Sequence, residues 1–234
     1  MKAVILAGGK AIRLRPYTTN FPKPLMPIGE RPILEIVIRR LKDFGITDII
    51  ISTGHLAELI RAFFNDGSKI GVNITYSKEE EPLGTAGPLN LVRDKLDDTF
   101  IVMNGDVLTD LDFAKLISFH RVHKAKATIS LSKRTFPIEF GVIDIDDHNH
   151  FKAWTEKPSL EYLISTGIYL FEPETLKVLP RAGFFNVPDF IQRLQNENYA
   201  VFGYIHTGYW LDIGRPADYE KACEEFEEKK SLLL

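Results

Sequence analysis

Residues 2–7, KAVILA, are apolar almost without interruption and end at Gly8-Gly9. A short apolar run closed by a glycine pair predicts a strand buried on both faces, followed by a turn. Residues 31–45, RPILEIVIRRLKDFG, change period: Ile33, Leu34, Val37, Ile38 and Leu41 fall on one stripe between Pro32 and Gly45. That spacing predicts a helix with one buried side. DIIIS at 48–52 reads as a second buried strand and HLAELIRAFFND at 55–66 as a second amphipathic helix. VNITYS (72–77) and TFIVMNGD (99–106) give two more strands, with AGPLNLVRDKL (86–96) as the helix between them. Such alternation through residue 125 is the pattern of a mainly parallel sheet covered on both faces.

Beyond residue 125 the apolar stretches shorten and alternate: ATISLSK, FGVIDID, HFKAWTEKP and STGIYLF. These predict a mixed or antiparallel extension. AVFGYI and GYWLDI end the sheet, and RPADYEKACEEFEEKK closes as a helix with a solvated polar face. The expected division is therefore 1–125, 126–215 and a C-terminal helix at 216–234, within one α/β domain and with no hexapeptide series.

Composition narrows the partners. A net charge of -3 gives no electrostatic footprint for nucleic acid. One cysteine, Cys223, excludes an intrachain disulfide and fits a reducing, cytoplasmic setting. The N-terminal apolar run is too short for a signal peptide or a membrane span. Oligomeric state stays open, a homo-oligomer included.

In an open parallel sheet, ligands bind beyond the carboxyl ends of the strands. LAGG, EEEPLGTAG and NGD stand at three such ends. Glycines there let backbone N–H groups approach an anion. Lys10, Arg13, Arg15 and Lys23 follow the Gly8-Gly9 turn, in a segment stiffened by Pro16, Pro22 and Pro24. Phosphate binding is the chemistry this combination suits, although the Walker spacing is missing.

Residues 6–34, LAGGKAIRLRPYTTNFPKPLMPIGERPIL, resemble the signature of the sugar-1-phosphate nucleotidyltransferases. EEEPLGTAGPL, NGDVL, EFGVI, TEKP, STGIYLF and GYWLDIGRPADY continue the resemblance in order along nearly the whole chain. EEEPLGTAGPL and GYWLDIGRP are most similar to the mannose-1-phosphate guanylyltransferase branch, and the chain's length to the short heptose-1-phosphate guanylyltransferases. The resemblance implies a Rossmann-like, doubly wound fold and a Mg²⁺-dependent reaction of a nucleoside triphosphate with a sugar 1-phosphate. Leu6, Ala7, Gly8, Gly9, Glu79, Gly84 and Thr85 would line the nucleotide. Arg13 would grip the leaving phosphates and Lys23 bridge to the α-phosphate. Asp106 and Asp212 would hold Mg²⁺, the hard cation that suits few carboxylates plus substrate phosphates. Gly141, Glu156, Lys157, Thr166 and Gly167 would take the sugar phosphate. Trp154 and Trp210 are assigned to packing, and HNH at 148–150 to an exposed turn.

Two positions refine the picture. Ala11-Ile12 stands where the family usually has Gly-Thr, and the expectation is an ordinary negative φ at Ala11. A weakly active, nucleotide-sugar-binding regulatory subunit is the alternative of another class. Glu79 lies five residues before Gly84, where relatives using uridine or thymidine nucleotides carry glutamine. A carboxylate only accepts hydrogen bonds, which suits the N1–H and N2–H₂ pair of guanine. GTP is therefore the expected donor, with a UTP- or dTTP-dependent glucose-1-phosphate nucleotidyltransferase as the alternative.

Overall fold

The computed structural model describes residues 1–233. In chain order the elements are β1 (Lys2–Ala7), β2 (Pro27–Ile28), β3 (Arg31–Pro32), α1 (Ile33–Asp43), β4 (Asp48–Thr53), α2 (Ala57–Phe64), β5 (Asn73–Lys78), β6 (Phe100–Asn104) and β7 (Val107–Thr109). There follow α3 (Phe113–Val122), β8 (Ala127–Pro137), β9 (Val142–Ile145), β10 (Phe151–Thr155), β11 (Ser159–Phe171), α4 (Val187–Asn196), β12 (Val201–His206), β13 (Trp210–Asp212) and α5 (Pro216–Leu233).

Seven strands form the main sheet in the order β12-β8-β11-β6-β1-β4-β5. β1 lies between β4 and β6 and is parallel to both, which is why its sequence is apolar on both faces. β11 is antiparallel to its neighbours β6 and β8, and β12 is parallel to β8. The carboxyl ends of β1, β4, β5, β6, β8 and β12 therefore share one edge.

On one face, Leu34, Val37, Ile38 and Leu41 of α1 pack with Ile60 and Phe64 of α2 and Phe113 and Leu116 of α3 against Ile5, Ile51 and Met103. On the other, Leu89, Leu176, Phe190 and Leu194 cover Val4, Val102 and Phe171. α1 carries a second buried side: Ile33 and Ile36 join Leu14, Leu211, Ile213 and Phe226 in a third cluster beneath α5. The helix expected at 86–96 is a 3-10 helix over Gly87–Lys95. Among the described residues no helix is long and apolar enough to cross a membrane.

β8 and β11 are longer than the sheet needs. Their ladder runs past Ser132↔Ile164 to Pro137↔Ser159, and β9 and β10 pair with each other beyond it. At about 3.4 Å per residue the ladder carries this arm roughly 20 Å from the sheet edge.

Candidate active site

The first turn after β1 is built for close approach. A Cβ on Gly8 would overlap the Glu79 carboxylate, whereas the space beside Gly9 is open. Ala11 has φ 46° and ψ 42°, in the left-handed region, so the expectation of a negative φ is wrong. The Ala11 carbonyl explains the conformation. It accepts from the Leu14 N–H at 3.0 Å and from the buried Thr18 hydroxyl at 2.8 Å. The turn thus keeps a glycine-like geometry without glycine, at a cost of about 1–2 kcal/mol. Ile12, in place of the usual threonine, is 60% exposed.

Residues distant in sequence meet at this edge. β7 pairs with β13 so that Val107 faces Asp212, and the Ile213 N–H donates to the Asp106 carbonyl at 3.1 Å. That pairing sets Asp106 and Asp212 side by side. Lys23 forms an ion pair with Asp106 Oδ2. Arg13 Nη2 and Asp212 Oδ2 flank Gly214, 3.6 and 3.4 Å from where a Cβ there would sit. Burial pushes the Asp212 carboxyl above its ordinary range, and the Asp106 charge adds to the shift while Lys23 and Arg13 oppose it. Among the described residues, Asp106 Oδ1 is buried without a hydrogen-bond partner. An orphaned hard oxygen beside a second carboxylate, with no sulfur or imidazole donor in the set, fits a divalent cation bound partly through its ligand's own oxygens.

Glu79 borders the same turn on the β5 side. Its two oxygens accept from the Ser52 hydroxyl at 3.0 Å and the Leu83 N–H at 3.1 Å. Burial raises its pKa, against the pull of these two donors. Each oxygen keeps a further acceptor site, while Glu80 and Glu81 are solvent-exposed. The residues that follow are tied to α4. Gly84 has φ +80° and leaves no room for a Cβ beside the Phe185 carbonyl, and the Thr85 hydroxyl accepts from the Val187 N–H at 2.9 Å. Gly84 and Thr85 therefore tie the loop to the segment leading into α4, with the Thr85 hydroxyl engaged there. Leu6 is half-buried at the end of β1, and Ala7 is buried.

On the other side of the carboxylates, Thr166 and Gly167 lie in β11. The Thr166 hydroxyl donates to the Ser130 carbonyl at 3.0 Å, and the Thr166 carbonyl accepts from Trp210 Nε1 at 2.8 Å. Trp210 is thus a bridge from β11 to the Asp212 strand as well as a packing residue. Gly141, Glu156 and Lys157 sit apart, on the arm. Trp154 is 60% exposed, which corrects its assignment to packing. It lies against Gly141 and donates to Glu156 Oε2 at 2.9 Å. Among the described residues, every hydrogen bond and ion pair of 138–158 stays within that stretch, including the Asp146–His150 pair that makes the HNH segment a turn. The structure does not join these three residues to the carboxylates.

Residues 2–229 match the family described as nucleotidyl transferase. The chain belongs to the nucleotidyl transferase family. It is 39% identical over 227 residues to the Oryza sativa subsp. japonica protein named "Probable mannose-1-phosphate guanylyltransferase 1", covering 94% of this chain and 63% of the relative. It is 36% identical over 243 residues to the UTP--glucose-1-phosphate uridylyltransferase of Synechocystis sp., covering 95% and 62%. The chain thus spans less than two thirds of the length of these curated relatives. Among solved structures, HddC from Yersinia pseudotuberculosis complexed with GMP-PN superimposes with a TM-score of 0.75 at 28% identity, covering 96% of this chain and 99% of that one.

Within this family member, the spacing of residues gave no sign of Thr18, Ser52 or Asn186 as supports of the turn and loop. Each acts through a partner that only the fold brings near. Asn104 is different: it lies inside the NGD motif, next to residues that the motif did single out.

Proposed function

We propose that the protein transfers a nucleotidyl group from a nucleoside triphosphate, GTP by preference, to a sugar 1-phosphate, with Mg²⁺ as the cation. The observation that carries this is the meeting of Arg13, Lys23, Asp106 and Asp212 at one strand edge, beside a turn in which Gly8 gives room to the Glu79 carboxylate and the space beside Gly9 is open.

In this reading a phosphate oxygen of the sugar 1-phosphate bonds to the α-phosphorus, the α–β phosphoanhydride bond breaks, and pyrophosphate leaves with the bond's electrons. No side chain forms a covalent bond. The protein's task is to align two polyanions and offset their charge. Gly8 and Gly9 admit the triphosphate close to the backbone, Arg13 holds the departing phosphates, and Lys23 steadies the α-phosphate. Asp106 and Asp212 would hold Mg²⁺, which supplies divalent charge to the phosphate oxygens. Thr166, Gly167 and the arm residues Gly141, Glu156 and Lys157 take the sugar side. Glu79 reads guanine by accepting from N1–H and N2–H₂, with Ser52 and Leu83 fixing its orientation.

A matrix of nucleoside triphosphates against sugar 1-phosphates, with pyrophosphate release as the signal, tests the reading. GTP should be the best donor, and Glu79→Gln should lose about ten- to hundredfold with GTP while gaining UTP or dTTP use. A wild type that prefers UTP or dTTP contradicts the base assignment. The left-handed Ala11 favours a second reading, a nucleotide-sugar-binding regulator of low turnover. Tight GTP binding with no pyrophosphate from any pairing would select it.

A further inference from the structure

The side chain of Asn104 occupies the boundary between the two halves of the site. Asn104 ends β6, paired with Leu6 of β1, and stands two residues before Asp106. The strand alternates: Ile101 and Met103 point to the α1 side, and Phe100 and Val102 to the α4 side. Asn104 therefore projects on the α4 side, the face that Leu6 and Tyr169 share. Its amide lies against Gly167. A Cβ on Gly167 would come within 2.6 Å of Asn104 Nδ2, and Gly167 has φ +75°, a conformation that suits glycine. The close approach of β11 thus fixes where the amide sits. Yet among the described residues this half-buried amide makes no hydrogen bond.

A half-buried amide with two donors, an acceptor and no partner, held in place by a positive-φ glycine, is suited to a ligand hydroxyl. We infer that Asn104 reads the 2-hydroxyl of the sugar. This rests on the nucleotidyl-transfer reading above. In that reading Gly167 takes the sugar side and Asp106 and Asp212 the phosphates, and Asn104 lies against the one and two residues before the other, which suits the hydroxyl on the carbon beside the anomeric phosphate. The 2-hydroxyl is also the group whose axial or equatorial placement separates mannose from glucose. Asn104 is then a specificity-determining residue, placed to tell the two epimers apart.

The test compares kcat/KM of the wild type and Asn104→Ala with mannose 1-phosphate, glucose 1-phosphate and 2-deoxyglucose 1-phosphate, at saturating GTP and Mg²⁺. The last compound lacks the hydroxyl in question and is the 2-deoxy form of both epimers. Asn104→Ala should lose about ten- to hundredfold with the preferred 2-hydroxy substrate and change less than about twofold with the 2-deoxy compound. Discrimination between mannose and glucose should narrow with it. Since Asn104 holds nothing else by hydrogen bond, the melting temperature should stay unchanged. Equal losses with 2-hydroxy and 2-deoxy substrates would overturn the assignment while leaving the transfer reading intact. A wild type that releases no pyrophosphate with any sugar 1-phosphate overturns the transfer reading and this assignment together.

Discussion

Asp212 shows how the site trades stability for charge. Its carboxyl is raised by burial first and by Asp106 second, so ionising it costs more in the fold than in the unfolded chain. A raised carboxyl pKa means that the fold binds protons more readily than the unfolded chain. The penalty is therefore full above the folded pKa and is relieved as pH falls through it. Asp212→Asn should melt higher than wild type at pH 7 without added metal, with the gap closing toward pH 4. The same variant should lose at least a hundredfold in turnover, because divalent charge stabilisation contributes several kcal/mol. Thermal melts across pH, paired with pyrophosphate release, check both halves; a variant less stable than wild type at pH 7 contradicts the electrostatic account. Ala11 gives a second residue-level test. Thr18→Val removes the hydroxyl that holds the Ala11 carbonyl, so the KM for the triphosphate should rise about tenfold with a smaller change in kcat. Ala11→Gly in that background should recover much of the loss, since glycine adopts the turn unaided. An Ala11→Gly change that leaves the defect untouched would show that Thr18 acts elsewhere.

At the scale of elements, the parallel half was legible and the second half less so. β1, β4 and β6 are buried on both faces, and such strands advertise themselves as continuous apolar runs. The stretch at 86–96 read as a helix, but Pro88 at its start and the anchoring of Ala86 and Gly87 to Phe185 hold it in 3-10 form. The arm was harder to foresee. Alternation in FGVIDID and HFKAWTEKP reports strands, yet all nine residues of β9 and β10 are exposed, so alternation here does not mark a buried face. Pro137 and Ser159 are ladder partners, so replacing 138–158 with an Asn-Gly turn should close a hairpin. The shortened protein should melt within a few degrees of wild type and still bind GTP, measured by calorimetry, while releasing no pyrophosphate. A large fall in melting temperature would show that the arm supports the fold, and full turnover would show that Glu156 and Lys157 are dispensable.

For the molecule as a whole, the site is an edge effect. Arg13, Lys23, Asp106 and Asp212 are separated by up to two hundred residues; the ends of β1 and β6 bring the first and third to one edge, the antiparallel β7–β13 pairing adds Asp212, and Lys23 joins through its ion pair with Asp106. Their types and motif positions could be read from the sequence. Their partners could not: Lys23 on Asp106, Thr18 on Ala11 and Ser52 on Glu79 depend on long-range packing that no local pattern encodes. The central claim is that this edge moves a nucleotidyl group and not a terminal phosphoryl group. GTP labelled separately at the α- and γ-phosphates, incubated with mannose 1-phosphate and Mg²⁺, tests it most directly. The account predicts the α-label in a nucleotide-sugar and the γ-label in pyrophosphate. The γ-label on the sugar, or in inorganic phosphate with the α-label left in GDP, would contradict it.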